Sequence, residues 1–381
     1  MDIFNIMNDD LTALTEHGPV FATMGEVMVR DMPADHERLE RTRQVWISMA
    51  GSELTLAMML SRLGVPSTFI TRVPDNPYGW MLRNLAHEQG IDANHFVWAE
   101  ATEPFGRFLY ELGRTPRRSV VWYQRKYSAA SRLDAGMVDW SKALRGVRLF
   151  HISGISFGLS THSGYERNHI LGAFEEALQL KPADCLVGLD FNYRGTLWSP
   201  AQCRDVMTPL VTEHVDVLNT TIEDMARIYG LDCGRISADR IVEGDFGQLE
   251  DTDIRAMMRQ LIDRFHLRIV GVTIRYPDSH EQHRWESAAM ENEGTFFRSA
   301  QVRPIVLTDR LGGGDTWNGG FYYGLLTEAD PARAIQKGVL VGDAATRLKQ
   351  TLMYDLPILT KSEIQARLNA DATGGDRRTA R

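Results

Sequence analysis

The chain has 381 residues, 43% hydrophobic and 24% charged, enough for a large packed core with no fibrous or low-complexity bias. A formal net charge of −8 argues against nucleic acid or an anionic membrane as the main partner, because either would need a broad basic surface. Cys185, Cys203 and Cys233 form no C-x-x-C pair and no apolar run approaches the ~20 residues of a membrane span, so the expected location is a reducing cytoplasm.

In chain order, residues 1–18 are polar and acidic and are expected to form a loosely held extension or short helix. Val20–Val29 reads as a first strand interrupted by Gly25, followed by a charged, aperiodic stretch to Gln44. Ala50-Gly51-Ser52-Glu53 opens a helix with apolar residues at helical spacing that stops at Gly64, which makes this glycine turn a candidate ligand loop. A strand over Ser67–Arg72, a turn over Pro74–Gly79 and a helix ending near Gly90 continue a βαβ rhythm. The segments GRFLYEL and SVVWYQR, from Gly106 to Arg125, read as a hairpin that breaks the rhythm and is expected to stand outside the main sheet.

The alternation resumes with a strand over Val147–Ser153, a helix over about 164–180, the apolar strand CLVGLDFN, a helix over about 200–213 and the strand VDVLN. A helix near 222–229, an acidic stretch, a further helix and the strand RIVGVTIR, ending at Arg275, follow. Such alternation predicts an α/β fold with a mostly parallel central sheet covered by helices on both faces, and places sites at the carboxyl ends of the strands. The main α/β body is expected over 19–368, and the tail 369–381, low in apolar residues, is expected to be disordered.

Chemistry concentrates in DRLGGGDTWNGG, Asp309–Gly320. Gly312, Gly313 and Gly314 allow a tight turn with bare N–H groups, and the helix expected behind them adds positive dipole in the same direction, which together make an anion site. Asp315 stands at its rim, where a carboxylate could take a proton from a hydroxyl while the N–H groups hold the charge of a transferred phosphoryl. The alternative is a glycine turn merely capped by Asp. In DFNYRGTLW, the alternation of Asp190, Asn192 and Arg194 at a strand end projects them to one side. Arg194 there could fork a carboxylate or hold a phosphate, or could pair with Asp190. Tyr123 and Arg125 of YQRKYSA share one face of the hairpin, although a solvated basic edge strand would also fit.

The ordered set GEVMVR, AGSE, RVPDNPYG, YQRKYSA, HISGIS, DFNYRGTLW, the TIR strand end at 273–275, DRLGGGD and RLKQT resembles the ribokinase-like (PfkB) sugar kinases, most similarly the 2-keto-3-deoxygluconate kinases, over about residues 20–365. The resemblance implies a ribokinase-like fold with a small β lid (about 27–48 and 104–128), ATP and Mg²⁺ as cofactors, a sugar acid as acceptor and a homodimer formed through the lid. It implies Asp315 as base with Gly312–Gly314 as anion hole, and Gly51, Ser52, Thr55, Phe108, Tyr123, Arg125 and Arg194 around the sugar. It further implies Asp190, Asn192, Thr221, Asp224 and Arg275 around the nucleotide, with Asp224 reaching Mg²⁺ through water. Thr55, Phe108 and Thr221 stand where the family has Asn, Tyr and Asn, and Arg310 where it usually has a small residue or Val. A lost hydrogen-bond partner in a closed site is worth about 1–3 kcal/mol, enough to alter which sugar is preferred but not the reaction. A neutral-sugar or nucleoside kinase of the same fold, or a sugar-binding regulator without turnover, are the alternatives.

Overall fold

A computed structural model describes residues 1–374 apart from 10, 16–17, 278, 280 and 300–302. Its strands are β1 (Phe21–Met24), β2 (Met28–Met32), β3 (Trp46–Ala50), β4 (Ser67–Ile70), β5 (Arg72–Pro74), β6 (Ile91–Asp92), β7 (Val97–Ala99), β8 (Gly106–Glu111) and β9 (Val120–Gln124), then β10 (Leu149–Ser153), β11 (Leu186–Asp190), β12 (Val217–Thr221), β13 (Ile269–Pro277), β14 (Gln282–Glu291), β15 (Phe296–Arg298) and β16 (Arg303–Val306).

Alternate residues of the central strands feed opposite layers: Phe21 and Leu149 enter one core with Trp317 and Phe321, while Ala22 and Phe150 enter the other with Phe157 and Phe174. That two-sided burial is why these strands read as unbroken apolar runs. The central sheet has the order β15-β14-β13-β12-β11-β10-β1-β4-β6, with β16 on β14. Pairing is parallel from β6 through β13, and β14 then runs antiparallel to β13. The chain builds outward from β1 to β4 and β6, then starts again at β10 on the other side, so the sheet's switch point lies between β1 and β10. The α/β fold with a mostly parallel central sheet that the alternation predicts is the one observed.

A second sheet, β3-β2-β8-β9, stands apart as the expected lid. The chain leaves β1 at Gly25 and enters β2 within four residues, so the lid is fastened directly to the switch point. Behind the sheet, the Gly313–Thr327 helix folds back onto the Pro331–Lys349 helix at unusually short range. A Cβ on Gly320 would lie 2.5 Å from Gly342 Cα, and one on Gly324 would lie 2.3 Å from Gly338 N.

Several expectations need correction. A helix that went unread, Gly154–Ser163, follows HISGIS directly and precedes the one read over 164–180, which begins at an Asn168 cap and spans His169–Leu180. The first was hidden because its glycines and serines blur the apolar stripe. Residues 369–373 are not disordered but complete the Lys361–Thr373 helix, which has a Thr360–Glu363 capping box, buries Ile364 and Leu368, and pairs Asp371 with Arg347; 375–381 lie outside the described residues. The N-terminal segment is not loosely held: Ile6 and Met7 are buried, and Asp9 binds the Lys337 ammonium at 2.6 Å.

Candidate active site

On one side of the switch point, a cleft of about 800 Å³ opens over the carboxyl ends of β11, β12 and β13, roofed by Tyr123 of the lid and floored by Gly312–Asp315. Gly312 caps the Gly313–Thr327 helix with φ 75°, and a Cβ there would sit 2.3 Å from the Asp355 carbonyl, so only glycine fits. Above Gly314 nothing lies within 4 Å, which leaves its face of the helix end open to the cleft.

Asp315, in the first turn, accepts a hydrogen bond from the Ser52 hydroxyl and a longer one, 3.3 Å, from the Asn192 amide, which also donates to Ser52 Oγ at 2.9 Å. Three segments distant in sequence therefore converge on one carboxylate. Burial raises the proton affinity of Asp315 above the ordinary carboxylate range, against the opposing pull of Ser52, Arg194, Lys349 and Asn192. Asp190 is pushed up to about 7, mainly by burial, with the Asn318 amide (2.7 Å) opposing and the charges of Asp315 and Asp224 adding to the rise.

The strand alternation expected through Asp190, Asn192 and Arg194 stops at Asp190, because Asn192 adopts φ 41° and its N–H turns back onto the Asp190 carboxylate at 2.9 Å. Arg194 consequently lies in an exposed turn at the cleft wall, its guanidinium on the Tyr193 carbonyl at 3.0 Å, with no ion pair to Asp190 or any other carboxylate among the described residues. Thr221 caps the Ile222–Tyr229 helix by accepting from the Asp224 N–H at 3.0 Å, and Asp224 accepts from the Tyr193 N–H at 3.2 Å. Thr221, Asp224 and Arg275 all line the cleft.

On the lid side the outcome differs. Tyr123 lines both the main cleft and an adjoining cavity of about 360 Å³, but Arg125, which lines only the smaller one, is nearly buried in an ion pair with Glu26 at 2.5 Å. Ser128 also donates to Glu26, at 2.5 Å. Gly51 lets the Glu26 carbonyl approach, since a Cβ would lie 2.6 Å from it. Of the expected sugar contacts, Gly51, Ser52, Thr55 and Phe108 line neither cavity. Thr55 is wholly buried within the Ser52–Arg62 helix, and Phe108 is packed in the lid core behind Tyr123, ring centroids 5.8 Å apart.

Two carboxylates escaped sequence reasoning. Glu53 of AGSE points inward, accepting from the Ser153 N–H and the Ser153 and Ser156 hydroxyls at 3.2, 2.7 and 2.9 Å, and a Cβ on Gly25 would strike it at 2.2 Å. The joint presence of GE and AGSE was the available signal. Glu223 lines the cleft with its Oε2 buried and unpartnered among the described residues. No group of three or more His, Cys, Asp or Glu able to hold a metal alone occurs among the described residues. An unpartnered Glu223 oxygen beside Asp224 nevertheless suits a cation that arrives already bound to phosphates.

A glycine-rich helix end facing a poised carboxylate is suited to moving a phosphoryl group onto a hydroxyl, and the protein is a phosphotransferase of that class. The profile described as pfkB family carbohydrate kinase matches residues 21–245, more than half of the chain, and the chain belongs to that family. It is 27% identical over 357 residues to the 2-dehydro-3-deoxygalactonokinase of Haloferax volcanii, covering 93% of this chain and 98% of that protein. It is 25% identical over 317 residues to a 5-dehydro-2-deoxygluconokinase of Clostridium botulinum, covering 83% of each. The crystal structure of 2-dehydro-3-deoxygluconokinase from Thermotoga maritima superposes with a TM-score of 0.80 at 28% identity, covering 93% of this chain and 99% of that one. No helix among the described residues is long and apolar enough to cross a membrane.

Proposed function

We propose that the protein is an ATP-dependent sugar-acid kinase that phosphorylates 2-keto-3-deoxygluconate at its terminal hydroxyl, giving the 6-phosphate. The observation that carries this reading is Asp315 at a helix start, held by Ser52 and Asn192 beside the open face of Gly314. Asp315 accepts the proton of the acceptor hydroxyl, and the N–H groups of Gly312–Gly314 receive the charge on the phosphoryl oxygens. ATP lies toward Thr221, Asp224 and Arg275, and the sugar acid toward Tyr123, Ser52 and Arg194. Mg²⁺, brought by the nucleotide, would neutralise phosphate charge, with Glu223 and Asp224 as its nearest protein carboxylates, reached directly or through water. The names of the relatives, all kinases of dehydro-deoxy sugar acids, support the acceptor class. Three buried cysteines without a disulfide suit the cytoplasm.

One observation favours a second reading. Arg125 is already neutralised by Glu26, which removes one cation from the sugar side and would suit a neutral sugar. An ATP-consumption screen of 2-keto-3-deoxygluconate, 2-keto-3-deoxygalactonate, fructose and ribose, with the phosphorylated carbon located by NMR, separates the two. Higher kcat/KM for a keto-deoxy acid than for either neutral sugar is the expected result; the reverse order makes it a neutral-sugar kinase.

A further inference from the structure

The RLKQT run, residues 347–351, ends the Pro331–Lys349 helix and contributes no side chain to the cleft, yet its lysine is completely buried. The Lys349 ammonium donates to two main-chain carbonyls, that of Asp309 at 3.2 Å and that of Leu311. These two carbonyls flank Arg310, in the turn that delivers Gly312–Gly314. Burial pulls the ammonium below its ordinary proton affinity, and the carboxylates of Asp309, Asp355 and Asp315 oppose that pull. The same helix end holds the turn elsewhere: the Thr346 hydroxyl donates to the Gly313 carbonyl at 3.0 Å, and the Gln350 carbonyl accepts from the N–H groups of Thr308 and Asp309 at 2.9 and 3.2 Å.

A charge stripped of water is costly to bury, so a lysine placed here needs a compensating environment. Main-chain carbonyls with carboxylates nearby are such an environment, and they are the oxygen surroundings that replace the hydration shell of an alkali cation. Lys349 fills that space with a cation that cannot dissociate. Its charge also reaches Asp315, whose proton affinity it lowers. The Arg30 guanidinium of the lid strand β2 binds Asp309 at 2.5 Å and Asp355 at 2.6 Å, so the two flanking carboxylates are themselves fixed.

We propose that Lys349 is a positioning residue for phosphoryl transfer: a built-in monovalent cation that sets the shape of the 309–312 turn, and with it the anion hole, so that turnover needs no added alkali or ammonium ion. The proposal rests on the reading of residues 312–315 as anion hole and base.

The test compares the parent with Lys349→Met in buffers whose only monovalent cation is tetramethylammonium, then with potassium, sodium, ammonium or methylammonium chloride at matched ionic strength. Parent turnover is expected to be unchanged by any of these salts. Lys349→Met is expected to lose about tenfold or more in kcat, as when anion-hole donors are displaced, with a smaller change in KM for ATP. Ammonium or methylammonium should restore part of the loss, which a purely structural defect would not permit. A parent stimulated by potassium or ammonium, a variant with undiminished kcat, or a loss that neither ammonium salt repairs overturns the proposal. Should the variant fail to fold, the parent's response to salt decides. Asp315→Asn, run alongside, separates the two claims: if it retains turnover the site reading fails, whereas the cation response of the parent reports on Lys349 alone.

Discussion

Arg125 Nη2 and Glu26 Oε2 lie 2.5 Å apart in a nearly buried pair that joins the end of the lid hairpin to the end of β1. Removing one partner of such a pair leaves the other charged and unsolvated, a loss of about 3–5 kcal/mol. Arg125→Ala should therefore lower stability to denaturant by that order, and adding Glu26→Gln should recover much of it. If Arg125→Ala melts with the parent, the pair is not formed in solution.

With Arg125 so engaged, Arg194 is, of the two arginines expected at the sugar, the one left to read an acidic acceptor. It is exposed, so truncation should be worth about 1–3 kcal/mol rather than the larger value of a desolvated fork. Arg194→Ala is expected to reduce kcat/KM for 2-keto-3-deoxygluconate roughly ten- to a hundredfold while leaving a neutral analogue nearly unaffected, which steady-state kinetics with both acceptors would check.

As a general base, Asp315 should lose about 10²-fold or more of its turnover on replacement by Asn, with nucleotide binding by calorimetry little changed. The base works ionised, so activity falls as pH drops through its pKa. Because burial raises that pKa, the acid limb of the kcat/KM profile should lie above the ordinary carboxylate range. A limb at the pKa of a solvated Asp, or a fully active Asp315→Asn, excludes the role.

Glu53 makes a separate pH prediction. Burial raises its pKa from 4.5 to about 7, although the Ser153 and Ser156 donors favour the ionised form. A carboxyl whose folded pKa is raised contributes stability that is present below its unfolded value and lost as pH climbs through its folded one, here by up to about 3 kcal/mol. Thermal melts should thus show declining stability between pH 4.5 and above 7, and Glu53→Gln should flatten that slope. An unchanged slope would show that Glu53 is ionised throughout.

The lid dimer remains a proposal that its outer face supports. Val120 and Trp122 alternate with the cleft-facing Tyr123, and the register through Leu109 and Asp31 brings Ile47 into the same row as Trp122. Trp122 and Ile47 are 44% and 43% exposed. Ile47→Glu with Trp122→Glu should shift sedimentation to the monomer; a parent already monomeric at assay concentration rules the dimer out.

The helix–strand rhythm made the parallel sheet legible, because burial on both faces writes itself as apolar runs. β14–β16 went unread since their mixed composition follows an edge, not a period. At the site, Gly312–Gly314 and Asp315 could be found as a local string, whereas their partners Ser52 and Asn192 are brought to Asp315 only by folding. Arg125 shows the converse: its position on the ribbon was legible, but Glu26, 99 residues earlier, decides what its charge does.

The glycine contacts between the Gly313–Thr327 and Pro331–Lys349 helices leave no slack for a methyl group at Gly320 or Gly324. Gly324 stands nine residues, about 13 Å of helix, below Asp315. The two helices therefore act as a single strut whose upper tip is the anion hole. Growth of a side chain at its foot would tilt that tip, so a substitution remote from the cleft would present itself as a kinetic defect before it presented itself as a loss of fold.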